Sequence, residues 1–186
     1  MKESIFRKWP KIPRTNPFRA TITEKIDGTN SCIIIEEAIT GSISSLQIVG
    51  IQSRNRLITP DDDNFGFAKW VRCNESELIK LGRGHHFGEW AGPGIQNNPH
   101  NLTEKTFFLF NTKRWSIQET PPSCCSVVPI LFDGILGEST IEDVLNELAG
   151  KTSLTYKPEG IVVYYHTMNA YTKHTINSPD GKWCKE

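Results

Sequence analysis

Short apolar segments recur along this chain and restrict it to a fold that is rich in β-sheet. The clearest of them, Ser31–Glu36, carries three consecutive isoleucines, whose branched side chains favour strands. Segments of this length, bounded by Gly, Asn, Asp and Ser, are typical of strands rather than helices. The predicted strands are Thr21–Lys25, Ser31–Glu36, Leu46–Gln52, Thr106–Phe110, Ser126–Leu131 and Gly160–Tyr165.

Helical spacing of apolar residues is found in two places. One predicted helix begins near Pro60–Asp63, a Pro- and acid-rich first turn, and buries Phe67, Trp70 and Val71. The other begins at Ser139–Glu142, which has the spacing of a capping box, and stops at Gly150. Antiparallel strands with two packed helices predict an α+β fold.

Length and charge narrow the class of protein. With 186 residues the chain has the size of one domain, and its 21 basic and 21 acidic residues cancel. Zero net charge excludes a strongly basic, nonspecific nucleic-acid binder but leaves room for a local basic patch. The chain has no apolar run near the ~20 residues that span a bilayer, and its five cysteines contain no CxxC pair. We therefore expect a soluble, cytoplasmic protein.

The segment from Glu24 to Asn30 is the first candidate for chemistry. If Lys25 ends a strand, Lys25 and Asp27 point to the same side, and Gly28 allows a sharp turn and a close backbone approach. An unprotonated lysine is a nucleophile. On these residues alone, an exposed lysine beside an Asp-Gly hairpin turn is the better interpretation.

Four further segments change that interpretation. Together with Lys25–Gly28, they resemble, in the same order along the chain, the motifs of the covalent nucleotidyltransferases, which include ATP-dependent DNA and RNA ligases and mRNA capping enzymes. The residue patterns Glu-Lys-x-Asp-Gly-Thr-Asn and Phe-Gly-Glu-Trp are similar to those of small bacterial and phage RNA ligases. The matching segments are Lys25–Gly28, Ser53–Arg56, His86–Trp90, Phe107–Asn111 and Pro158–Val162.

The resemblance implies a role for individual residues. Lys25 would attack the α-phosphorus of ATP and keep AMP as a phosphoramidate. Arg54 would contact phosphate or ribose, Glu89 the ribose, and Phe110 the adenine ring. Asn111 stands where many relatives have Asp, so any role that needs this carboxylate is absent.

Other implied contacts complete the site. Glu159 is the expected Mg²⁺ ligand, since a carboxylate suits a hard cation. Glu24, Asp27 and Gly28 would lie at the nucleotide, the first of them through its backbone. Lys173 is expected to contact the α-phosphate, with Lys182 as the alternative.

The resemblance predicts a nucleotidyltransferase fold whose antiparallel sheets enclose an ATP cleft. Residues 1–186 would form one adenylation domain without a C-terminal OB domain, and the function would be ATP-dependent ligation of RNA 5′-phosphate and 3′-hydroxyl ends. A basic patch for RNA could come from Arg7, Lys8, Lys11 and Arg14, or from Lys113 and Arg114. Two alternatives stay open: a self-adenylylating domain that needs an accessory protein, and a noncatalytic ATP- or RNA-binding module.

Overall fold

A computed structural model describes residues 18–40, 43–115 and 119–176. Nine strands occur in these ranges: β1 (Arg19–Glu24), β2 (Thr29–Thr40), β3 (Ile43–Ser53), β4 (Gly84–Ala91), β5 (Thr106–Leu109), β6 (Cys125–Val127), β7 (Ile130–Ile135), β8 (Gly160–Tyr165) and β9 (Ala170–Thr175). The helices there are α1 (Phe67–Cys73), α2 (Glu75–Leu78), which runs into a 3-10 turn at Ile79–Leu81, and α3 (Thr140–Gly150).

The strands form two sheets. The first sheet has the order β7-β1-β8-β9 and is antiparallel throughout. The second has the order β3-β2-β4-β5-β6 and is antiparallel except for its last pair, β5 and β6. The α+β class predicted from sequence is therefore confirmed.

Each sheet buries one face against helices. On the second sheet, residues such as Ile33, Trp90 and Phe107 pack with Phe67 of α1 in the larger core. On the first sheet, alternate residues of β1 and β8 pack against Leu148 of α3 in a smaller core. Because side chains alternate along a strand, the opposite faces of β1 and β4 are left for the motif residues.

Several predicted boundaries are wrong for local reasons. The first helix begins at Phe67 rather than near Pro60–Asp63, because Asp63 accepts hydrogen bonds from the backbone N–H groups of Ala68 and Lys69. The predicted strand Ser126–Leu131 is two strands, interrupted at Val128 and Pro129, and these belong to different sheets. Proline has no N–H to donate to a sheet, which explains the interruption.

The second predicted helix is present, but its first turn differs. Ser139 makes no capping hydrogen bond to the backbone; its hydroxyl donates to the Asp143 carboxylate at 2.6 Å. None of the helices in the described ranges is both long and apolar enough to cross a bilayer.

Candidate active site

Lys25 lies one residue beyond β1, where the first sheet comes next to the second. Its backbone N–H donates to the Gly160 carbonyl at 2.9 Å, which extends the pairing of β1 with β8. Its Nζ forms an ion pair with the carboxylate of Glu159, and both side chains are partly buried. Two motifs far apart in sequence therefore meet in one pair of side chains.

Gly28 brings the Lys25 loop against β4. A Cβ at this position would lie 2.4 Å from the Trp90 carbonyl oxygen and 3.0 Å from the Ala91 Cβ. Only a residue without a side chain permits this approach. The glycine predicted to approach a ligand thus has a structural role, because it holds the nucleophile loop next to the strand that carries Glu89.

Glu89 is the most strongly perturbed acid at this junction. It lies opposite Asn30 of β2, on the face of β4 away from the larger core. Burial raises the pKa of the Glu89 carboxyl to about 7; the positive charge of Lys25 opposes that shift, and the negative charges of Asp27 and Glu159 reinforce it. Four ionisable motif residues therefore share one electrostatic environment, as expected of a functional site.

Glu24 points away from Lys25, into the side of the first sheet that α3 covers. Its carboxylate accepts hydrogen bonds from His100 at 2.8 Å and from the Tyr156 hydroxyl at 2.5 Å. Burial disfavours the charge of Glu24, but these two partners outweigh it and keep its pKa below the ordinary value. Because no motif contains His100 or Tyr156, the sequence did not identify either as a neighbour of this site.

Phe110 follows the end of β5 and is open to solvent. It is 41% exposed, and its backbone N–H donates to the Phe87 carbonyl at 3.0 Å. Phe87 is itself 52% exposed and shares the Glu89 face of β4. Two exposed phenylalanines therefore flank this face, and Phe87 was missed, although its spacing of two from Glu89 could have predicted it.

Arg54 lies on the turn that follows β3. The Ser53 N–H closes this turn on the Arg56 carbonyl at 2.9 Å. Arg56 pairs with the Asp62 carboxylate at 2.5 Å, whereas Arg54 is exposed and has no ion-pair partner among the residues described. Of the two arginines, Arg54 is the better placed to meet an anionic ligand.

Lys173 is exposed on β9, opposite Val162 of β8, which in turn lies opposite Thr23 of β1. Thr23 is two residues before Lys25, so alternation places Lys173 on the same face of the first sheet as the nucleophile. The alternative candidate, Lys182, lies outside the described residues. So do Arg7, Lys8, Lys11 and Arg14 of the predicted basic patch.

The other predicted basic patch is only partly available. Lys113 is exposed, but Arg114 donates to Glu119 at 3.2 Å and lies over the Trp115 ring, 4.2 Å from its centroid. Arg114 therefore already has two partners within the chain.

The acids and histidines at the site bear on metal binding. No group of three or more His, Cys, Asp and Glu side chains in the described ranges is arranged to hold a metal ion. His86 is buried and bonded to the Gly82 carbonyl at 2.8 Å, while His85 is exposed beside Phe87. A metal ion at Glu159 would therefore need ligands other than a cluster of these side chains.

The chain matches one protein family and several solved structures. The family model "RNA ligase" matches residues 19–181. None of the curated proteins compared with this chain matches it.

Solved structures of a Naegleria gruberi RNA ligase have a similar fold. The structure with PPi aligns with a TM-score of 0.58 at 21% identity, over 86% of this chain and 50% of that chain. A variant with ATP and Mn aligns with a TM-score of 0.56 at 20% identity, over 86% of this chain and 49% of that chain. Another variant, with AMP and Mn, aligns with a TM-score of 0.56 at 20% identity, over 86% of this chain and 50% of that chain. The chain thus spans about half the length of these structures, and the likeness concerns the fold.

Proposed function

This chain belongs to the RNA ligase family, and we propose that it is an ATP-dependent RNA ligase that forms a lysyl-AMP intermediate on Lys25. One observation carries the proposal: the Lys25 ammonium pairs with Glu159 in the same environment as Glu89. These residues come from three separate segments of the chain. We also propose that the fold is the adenylation fold of covalent nucleotidyltransferases, and that residues 1–186 belong to one such domain.

In the first step, the neutral Lys25 Nζ attacks the α-phosphorus of ATP. The N–P bond forms while the bond from phosphorus to the pyrophosphate oxygen breaks, and pyrophosphate leaves. The lysine loses one proton before attack and a second as the phosphoramidate forms. Both protons would pass to solvent. The Glu159 carboxylate, which touches Nζ, would orient the amine and keep its assigned role as the metal ligand.

The nucleotide would lie between the sheets. Glu89 would bond to a ribose hydroxyl, which gives its buried carboxyl a polar partner. Phe110 would stack on adenine, and Arg54 would use its planar donors on phosphate or ribose. Asp27 and Gly28 would lie beneath the α-phosphate, and the Glu24 backbone would border the base.

Lys173 would neutralise the α-phosphate, and Lys182 is the alternative for the same role. A divalent cation bound with ATP would supply further positive charge against the phosphates, as expected for phosphoryl transfer. The single carboxylate of Glu159 fits Mg²⁺ that is shared with the triphosphate. The ATP, AMP, PPi and Mn in the Naegleria ligase structures support this assignment.

The RNA steps follow from the family. AMP would pass from Lys25 to an RNA 5′-phosphate, and an RNA 3′-hydroxyl would then displace AMP and seal the strand. Since the chain spans about half the length of the structures it resembles, an accessory protein or a further segment could take part in sealing. A cytoplasmic location remains a prediction.

The first test is covalent labelling. Incubation with α-labelled ATP and Mg²⁺ should label the intact chain, Lys25→Ala should stay unlabelled, and Lys80→Ala, which removes an exposed lysine paired with Glu77, should label normally. Labelling with GTP in parallel tests the choice of base. An unlabelled intact chain would exclude both enzyme interpretations.

The labelled chain then separates the remaining alternatives. Sealing of nicked or single-stranded RNA identifies a complete ligase. Labelling without sealing identifies a self-adenylylating domain that needs a partner. ATP or RNA binding with no covalent label identifies a noncatalytic binding module.

A further inference from the structure

A cluster of three aromatic rings lies on the first sheet, outside the proposed nucleotide site. Tyr164 and Tyr171 face each other across β8 and β9, with ring centroids 4.7 Å apart and planes 31° from parallel. The His166 ring lies 4.9 Å from Tyr164 on the other side. Tyr171 is 70% exposed. We call Tyr164, His166 and Tyr171 the tyrosine cluster; it presents aromatic surface to solvent.

The strand register places the tyrosine cluster on the same face as the nucleophile. Tyr164 lies opposite both Thr21 of β1 and Tyr171 of β9. Thr21 is four residues before Lys25, so their side chains share one face and stand about 13 Å apart along β1. The cluster and Lys25 therefore belong to one continuous surface.

Lys173 lies between them. It is two residues from Tyr171 on β9 and shares its face, and it is exposed. Within β1, β7, β8 and β9, Asp133 is the one acidic residue whose side chain lies on this face. It pairs with Arg19 at 2.7 Å. The face thus combines an exposed cation with aromatic rings, as proteins that bind single-stranded nucleic acid do.

Hydrogen bonds hold two of the three rings in place. The His166 Nε2 lies 2.9 Å from the Thr21 hydroxyl, and the Tyr164 hydroxyl donates to Asn169 at 2.9 Å. Tyr171 rests against the Tyr164 ring that is held in this way. An aromatic surface that is already ordered loses little conformational entropy when a ligand stacks on it.

We propose that the tyrosine cluster binds unpaired bases of the RNA strand whose 5′-phosphate reaches Lys25. This inference rests on the proposed function, and it adds a binding site for the substrate beyond its reacting end. Single-stranded RNA is the occupant favoured, because its bases can leave the stack and lie on aromatic rings, whereas those of a duplex cannot.

The experiment measures binding of a 5′-phosphorylated single-stranded RNA 12-mer by fluorescence anisotropy, with covalent ATP labelling measured in parallel. Tyr171→Ala should weaken RNA binding about tenfold or more, whereas Tyr171→Phe, which keeps the ring, should bind almost as the intact chain does. Leu154→Ala removes a side chain that is 99% exposed on another loop, and it should leave the RNA affinity unchanged. ATP labelling should be equal in all four proteins.

An abasic RNA makes the test specific for stacking. A series of 12-mers, each with one abasic position within the first five nucleotides, should contain one that the intact chain binds about tenfold more weakly. Tyr171→Ala should bind that RNA as weakly as it binds the complete one, because both changes remove the same contact.

Failure of this proposal is distinguishable from failure of the proposed function. Equal RNA affinity of Tyr171→Ala and the intact chain, or an intact chain that binds no RNA, would overturn the tyrosine cluster as a base-binding site while labelling by ATP still stands. Loss of labelling in the intact chain would instead remove the ligase assignment, whatever the RNA affinity.

Discussion

The Lys25 ammonium and the Glu159 carboxylate form an ion pair between residues 134 positions apart in the chain. The pair joins the loop after β1 to the residue before β8, and these strands are neighbours in the first sheet. A lysine at a turn would otherwise extend into water. The carboxylate instead fixes Nζ at the point where the second sheet approaches.

We predict that Glu159→Gln slows covalent labelling by ATP about a hundredfold or more, since the variant keeps the shape of the side chain but loses the negative charge that orients Nζ and would bind a divalent cation. The measurement is the initial rate of label incorporation at fixed ATP and Mg²⁺. Glu36→Gln is the control, because it removes the carboxylate of an exposed pair with Arg83. Labelling of Glu159→Gln at the parent rate would contradict a role for this carboxylate.

A second prediction concerns Glu89 and pH. Burial raises its pKa from the ordinary 4.5 to about 7, so the folded chain keeps a proton that the unfolded chain releases. The free energy of unfolding therefore falls as pH rises from about 4.5 through 7. Glu89→Gln removes this loss, and it should be more stable than the parent at pH 8 by on the order of 2 kcal/mol.

Urea unfolding at several pH values measures this difference. Parent and Glu89→Gln should converge near pH 4.5, where the parent carboxyl is also neutral. Glu104→Gln, an exposed acid, should follow the parent at every pH. A Glu89→Gln variant whose stability relative to the parent is the same at pH 4.5 and pH 8 would refute the raised pKa.

A third prediction tests the contact of the nucleophile loop with β4. Gly28→Ala places a Cβ 2.4 Å from the Trp90 carbonyl oxygen, so the backbone must shift; we expect a loss of about 1–3 kcal/mol of unfolding free energy. Covalent labelling should fall as well, because the loop carries Lys25.

Gly150→Ala is the matched control for this change. It adds the same methyl group at the last residue of α3, where nothing lies within 4 Å. This variant should be neutral or more stable by up to about 1 kcal/mol. If both alanine variants have the parent's stability in urea, the close approach at Gly28 is not what holds the loop.

A fourth prediction concerns the buried partners of Glu24. Tyr156→Phe removes the hydroxyl that donates to this carboxylate at 2.5 Å and should cost about 1–3 kcal/mol near pH 7. Since the pKa of Glu24 is lowered in the folded chain, the stability it contributes is present above pH 4.5 and is lost as pH falls through the folded value.

The loss in Tyr156→Phe should accordingly shrink in acid, as followed by urea unfolding at pH 7 and pH 3. Tyr164→Phe removes a hydroxyl bonded to the exposed Asn169, and its effect should be small at both values. A Tyr156→Phe loss that is as large at pH 3 as at pH 7 would argue against a charged Glu24 in the folded chain.

The sequence predicted the strands well where a run of apolar, β-branched residues was the main signal. The predicted strand Gly160–Tyr165 has the same bounds as β8, and the isoleucines of Ser31–Glu36 lie within β2. Two predicted bounds were wrong. The helix α1 begins only at Phe67, because the Asp63 side chain accepts a backbone hydrogen bond from Ala68, and Pro129 interrupts the predicted strand Ser126–Leu131. Such effects depend on hydrogen bonds that a residue pattern does not specify.

The sequence alone determined the α+β class, the family motifs and the identity of the candidate residues Lys25, Glu89 and Glu159, since strand periodicity and motif wording are local properties of the chain. It did not show that Lys25 pairs with Glu159, that Glu24 turns away toward His100, or that the tyrosine cluster shares a face with the nucleophile. Those relations arise from strand order and register, which pair segments distant in sequence. Contacts of this kind form only when the chain packs, and so they appear only in the folded structure.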